Sequence, residues 1–182
     1  VRLKLLELVV PAREMWDETD EIFITSKETT LRLEHSLVSI SKWEAKWCIP
    51  FLKDNNKTTK QMLDYIRCMT LTQNVDPIVY KCLTKDNFDT INGYINYPMT
   101  ATKIKDDPNT PHSRKILTSE VIYYQMIAFG IPFECQKWHL NRLLTLIRVC
   151  SEESKPKKKM SQAAIMRQNA ALNAARHKSH RR

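Results

Sequence analysis

The sequence predicts a mainly α protein: a compact helical domain with a short extended/β N-terminal segment and a basic helical C-terminal tail. Three observations predict it. Only two glycines, Gly93 and Gly130, occur among 182 residues, and tight β-hairpins usually take glycine where the backbone needs positive φ. Apolar residues alternate only near the N-terminus, and from about Leu33 they recur at three- and four-residue spacing. The stretch Lys155–Arg182 holds nine basic residues and no acidic one. These shifts divide the chain into an extended segment 1–30, a helical body 31–152, and a basic linker with a tail helix 153–182.

The first segment alternates Leu6, Leu8 and Val10 with Glu7 and Val9 until Pro11 closes the run. A second run, Ile22-Phe23-Ile24, follows the acidic turn Asp17-Glu18-Thr19-Asp20. Two short strands are marginal in water, so this hairpin or small sheet must lie against the body or a partner. The first helical stripe is Leu33, Leu37, Ile40, Trp43 and Trp47, read as core packing and stopped by Pro50. Lys42, Glu44 and Lys46 form its solvated side. A polar loop from Lys53 leads to an N-cap at Thr58 or Thr59, then to a stripe of Met62, Tyr65, Ile66 and Met69. Asp76 caps a shorter helix starting at Pro77. Another runs Asn87–Tyr97, weakened by Gly93 and ended by Pro98. Pro108 and Pro111 mark residues 104–114 as a surface loop.

Thr118, Ser119 and Glu120 open the most apolar segment, Val121–Phe129, where only Gln125 is strongly polar. A helix apolar on nearly all sides belongs at the centre of a core. Gly130, Ile131 and Pro132 turn a tight corner into a helix Phe133–Cys150. It buries Leu140, Leu143, Leu144 and Ile147 and presents Lys137, Asn141, Thr145 and Arg148 on the other side. The two helices admit a helix-turn-helix reading, but the second is only modestly basic and the body is neutral. Beyond Ser151 a linker containing Lys157, Lys158 and Lys159 leads to an alanine-rich helix over 162–176. That helix has high propensity and little apolar area, with Ile165 and Leu172 as its narrow stripe. It is expected to order on a partner or dock loosely on the body.

Residues Val1–Ser154 carry twenty basic and twenty acidic side chains, so the whole net charge of +9 belongs to the tail. An uncompensated cationic arm seeks a negative partner. Lys157, Lys158, Lys159, Arg167 and Arg176 are its candidate contacts, joined on the body by Lys137, Asn141 and Arg148. Nucleic acid is one such partner, but no aromatic residue interleaves the tail to stack bases, which favours protein. Glycine scarcity excludes Gly-rich phosphate loops. Cys48, Cys68, Cys82, Cys135 and Cys150 are dispersed, as expected of reduced thiols, not of disulfides or a zinc site. No apolar run approaches the ~20 residues that span a bilayer. Glu7 breaks the N-terminal apolar run and no small-residue cleavage site follows, so a cytoplasmic protein is expected.

Cys135 and His139, four apart, are the one pairing with nucleophile-and-base character, and a helix N-terminus lowers a nearby thiol pKa. Their neighbours Phe133, Trp138 and Leu140 are apolar and no oxyanion donor is evident, so a structural pair is expected. His35, His112, His177 and His180 complete no metal or catalytic pattern. No enzyme activity, cofactor or metal is expected.

Several stretches form a recognisable set: Leu33-Glu34-His35-Ser36-Leu37 with Ser41-Lys42-Trp43-Glu44, Pro98-Met99-Thr100-Ala101-Thr102, Thr118-Ser119-Glu120-Val121-Ile122-Tyr123-Tyr124, the distinctive run from Pro132 to Leu143, and Ala171-Leu172-Asn173-Ala174-Ala175-Arg176. Together they resemble the tail assembly chaperones of tailed bacteriophages, encoded next to the tape measure gene. The resemblance covers most of Leu31–Arg176. It implies a non-catalytic factor of the host cytoplasm that keeps the tape measure protein soluble while tail tube subunits polymerise around it. Stripes containing Met62 and Met69 suit such a role, because methionine adapts to varied surfaces. A nucleic-acid-binding protein acting through its basic C-terminal arm, and a minor virion structural protein, are the alternative readings. Homo-oligomerisation is open.

Overall fold

A computed structural model of the chain describes residues 5–17, 21–53, 57–103, 116–154 and 162–179. It divides into two compact units, Val1–Ser151 and Glu152–Arg182. The linker lysines Lys157, Lys158 and Lys159, the loop 104–114, most of the acidic turn, and His112 and His180 lie outside the described residues. Among the described residues, seven α-helices and one 3-10 helix against two short two-stranded sheets make the fold mainly α, as the sequence predicts.

The first unit opens with a β-ribbon. Strand β1 (Leu6–Val10) pairs antiparallel with β4 (Thr29–Leu33), and β2 (Arg13–Asp17) with β3 (Ile22–Ser26). Val10 faces Thr29 and Arg13 faces Ser26, so two residues intervene on each strand and both ladders share one register. The four strands are therefore the inner and outer halves of one interrupted hairpin. Alternation puts Leu8, Val10, Leu31 and Leu33 of the inner half in the core. That half is anchored on a further side by the chain around Thr70. Glu34 N–H donates to the Met69 carbonyl at 2.9 Å, Leu71 N–H to the Arg32 carbonyl at 2.8 Å, and Leu33 bridges Thr70. Leu33, expected to begin the first helix, is thus a strand residue with its side chain on the same core.

Helix α1 (Leu37–Trp47) ends at Cys48, whose left-handed φ of 53° turns the chain toward Pro50. Its neighbour α2 (Thr59–Met69) starts at Thr58, with a capping box between Thr58 and Gln61. Helix α3 (Pro77–Lys81) is capped by Asp76, and α4 (Lys85–Asn96) by Thr84, two residues earlier than the sequence suggests. Asn87 of α4 donates its side-chain amide to the Val9 carbonyl at 3.1 Å, holding α4 beside β1. Leu37, Ile40 and Trp43 of α1 meet Tyr65, Ile66 and Met69 of α2 in the core. Met69 is fully buried, which removes it as an adaptable surface methionine.

Further expectations are corrected. Helix α5 (Ser119–Ala128) is not enclosed, since only Ser119, Ile122 and Met126 are buried. The single helix Phe133–Cys150 is instead a 3-10 helix (Phe133–Lys137) and then α6 (Leu140–Ser154), parted by Trp138 in extended geometry. Leu140, Leu143 and Ile147 are buried while Leu144 is only partly so. Glu44, expected on a solvated face, is buried and accepts two backbone hydrogen bonds.

In the second unit α7 (Gln162–Ser179) matches the expected alanine-rich helix. All of its side chains that are described, Met166 and Leu172 among them, are exposed. No helix among the described residues is long and apolar enough to cross a membrane.

Candidate protein-binding surface

Helix α5 carries apolar side chains around its whole circumference but packs on one side only. Thr118 caps it by accepting from Val121 N–H, and Glu44 accepts from Ser119 N–H at 2.7 Å, so its first turn is fixed to α1. The C-terminal end closes through Ile131 N–H donating to the Met126 carbonyl at 2.8 Å. Gly130 makes that closure with φ 64°, a left-handed conformation that a side chain would strain.

The buried side of α5 is spaced as Ser119, Ile122 and Met126, so Glu120, Tyr124 and Ile127 fall on the opposite side. Tyr124 is 70% and Ile127 64% exposed. The 3-10 helix extends this surface: the Phe133 ring lies 6.5 Å from that of Tyr123 and is itself exposed. Tyr123 donates its hydroxyl to Gln136 Oε1 at 2.9 Å, which pins the two elements together. Tyr123, Tyr124, Ile127 and Phe133 thus form a rigid, largely aromatic surface. Contiguous exposed apolar patches on single domains mark interaction sites. Periodicity does not reveal this surface, because a helix with apolar residues on every side does not show which side is covered.

A second exposed aromatic pair sits on the outer half of the ribbon. Trp16 and Phe23 are cross-strand partners with ring centroids 6.3 Å apart, and both are more than half exposed.

The sequence-predicted contact residues scatter. Lys137 is exposed at the end of the 3-10 helix, and Arg148 is exposed on α6, but the break at Trp138 puts them on separate elements. Asn141 is half-buried and donates its amide to the Ile95 and Tyr97 carbonyls, each at 2.9 Å, so it closes the end of α4. Arg167 and Arg176 are exposed on α7.

The same break separates Cys135 from His139. Burial, then the neighbouring Glu134, pushes the Cys135 thiol up, the reverse of an activated nucleophile. His139 instead donates from Nε2 to the Tyr94 carbonyl at 3.0 Å and accepts at Nδ1 from Asn141 N–H at 3.3 Å. Its ring lies 5.0 Å from that of His35, whose Nδ1 is hydrogen-bonded to the Tyr65 hydroxyl at 2.5 Å. Burial, then the charge of His139, lowers His35 from 6.5 to about 3. Two neutral imidazoles fixed this way suit structure more than proton transfer. Among the described residues no group of three His, Cys, Asp or Glu side chains is placed to hold a metal. The chain matches no protein-family model, no curated protein and no solved structure.

Proposed function

We propose that the chain is a non-catalytic protein-binding factor of the phage tail assembly chaperone type, which holds the tape measure protein through the outer face of α5. The observation that carries the reading is the exposed surface of Tyr124, Ile127 and Phe133, braced by half-buried Tyr123. A client helix with an apolar stripe fits such a face as it would a hydrophobic groove, burying aromatic anchors that otherwise meet water. The resemblance of the Pro132–Leu143 run to tail assembly chaperones supplies the client. The basic tail, with Arg167 and Arg176 exposed on α7, provides a second contact.

Co-expression with the tape measure protein of the same phage tests this. The native chain should raise the soluble yield of that protein and co-purify with it. A Tyr124→Asp, Ile127→Asp double variant should lose both effects with unchanged melting. No gain in solubility and no co-purification with the native chain would overturn the reading.

A further inference from the structure

The exposed faces of α1 and α2 and the end of α3 border a cleft of about 500 Å3 that lies apart from the α5 surface. Lys60, Leu63, Asp64 and Arg67 follow the spacing of one helical face of α2. Lys46 and Trp47 close it from α1, and Lys81 stands at the end of α3. Four cationic side chains therefore surround one carboxylate, in a first unit that holds twenty basic and eighteen acidic side chains.

That carboxylate is already engaged. Asp64 accepts from the Lys46 ammonium at Oδ1 and from Trp47 Nε1 at Oδ2, the latter at 2.9 Å. Burial alone would raise its pKa, but the hydrogen bonds from Lys46 and Trp47 outweigh it and hold the group below its usual range. Asp64 thus orients Lys46 and Trp47, while Lys60 and Arg67 are exposed lining residues beside it. The apolar part is equally fixed. Trp47 stacks on Trp43 with centroids 6.1 Å apart, and the Arg67 guanidinium sits 5.1 Å over the Tyr80 ring.

We propose that this cleft binds an acidic amphipathic segment of a partner protein, seating one apolar side chain on Trp47 and Leu63 and pairing its carboxylates with Lys60 and Arg67. Charge complementarity sets the sign of the ligand, and the Trp47–Leu63 surface requires an apolar component. The lining favours a peptide over a nucleotide. Among the described residues it contains no glycine, hydroxyl or amide side chain of the kind that cradles a phosphate or reads a base edge. The assignment is independent of the client proposed for α5.

A fluorescein-labelled peptide of Glu and Leu, patterned as an amphipathic helix, provides the test by fluorescence anisotropy on the full-length chain. Lys60→Glu with Arg67→Glu, both at exposed positions, should weaken binding at least about tenfold, and Lys60→Glu alone, which keeps the Arg67–Tyr80 contact, should weaken it severalfold without altering the melting curve. Arg167→Glu with Arg176→Glu, the same charge change on α7, should leave most of the affinity in place. A peptide with Ser for Leu should bind weakly, and ATP should not displace the amphipathic peptide. Equal loss from the two charge-reversed pairs would show general attraction to cations and overturn the proposal. Undiminished binding of the Ser peptide, or displacement by ATP, would also overturn it.

Discussion

Glu44 Oε2 accepts a hydrogen bond from the backbone N–H of Ser119 at 2.7 Å, tying the middle of α1 to the first turn of α5. The other oxygen accepts from Phe51 N–H, also at 2.7 Å. One buried carboxylate thus fixes both the turn after α1 and the helix that carries the candidate binding face. Two charge-assisted bonds to buried amides would leave both donors unpaired if the acceptor were removed.

Glu44→Ala is accordingly expected to cost about 3 kcal/mol, and Glu44→Gln about half of that because one carbonyl oxygen survives. Urea unfolding measures both. A loss under about 1 kcal/mol for the alanine variant would mean that water replaces the carboxylate at both amides.

Stability should fall with acid because of His35. In the folded chain its pKa is lowered to about 3 by burial, then by His139, whereas the unfolded chain protonates near 6.5. His139 is lowered as well, burial outweighing its bond to the Tyr94 carbonyl. The unfolded state therefore binds more protons below pH 6.5, so the stabilisation is complete above that value and declines as pH falls toward 3. The slope reaches about 1.4 kcal/mol per pH unit for His35 alone. Denaturant midpoints between pH 7.5 and 5 should show this fall, and His35→Gln should flatten it. An equal slope in that variant would locate the proton uptake elsewhere.

The helical elements were legible because their signals are local. Thr58, Asp76 and Thr118 cap through the side chains that their residue types suggest, accepting from Gln61, Ile78 and Val121 N–H respectively. What stayed hidden depends on distant partners. The alignment of Thr70 with Leu33 carries no period of its own, and neither does the burial of Glu44 among polar neighbours that look solvated. The mostly apolar α5 gave the right element and the wrong environment. Apolar residues lie on every side of its axis, so the packing of Ile122 and Met126 shows which half meets water. The break at Trp138 was obscured by a hydrophobic spacing that continues through it.

Leu143 on α6 has no exposed surface, so Leu143→Asp places a charge in the core. The expected loss of about 4 kcal/mol or more approaches the whole stability of many domains, and the variant should be unfolded or insoluble. Lys137→Glu, at an exposed position one short element away, should change stability by less than about 0.5 kcal/mol. Circular dichroism melting distinguishes them, and a folded Leu143→Asp protein would contradict the register of α6.

The outer ribbon offers the sharpest contrast between stability and binding. Register is continuous from Val10 opposite Thr29 to Arg13 opposite Ser26, so Trp16 and Phe23 alternate onto the side that carries Leu8, Val10 and Leu31 in the inner half. The inner residues are buried and the outer rings are 54% and 66% exposed. Their contribution to folding is then limited to one cross-strand aromatic pair, about 0.5–1 kcal/mol. Trp16→Thr with Phe23→Thr keeps β-propensity and removes the apolar surface. The melting midpoint should shift by no more than that pair is worth, while binding of a hydrophobic-surface dye should drop measurably. A destabilisation above about 2 kcal/mol would show instead that the rings belong to the core, and that the ribbon's apolar side is covered along its whole length.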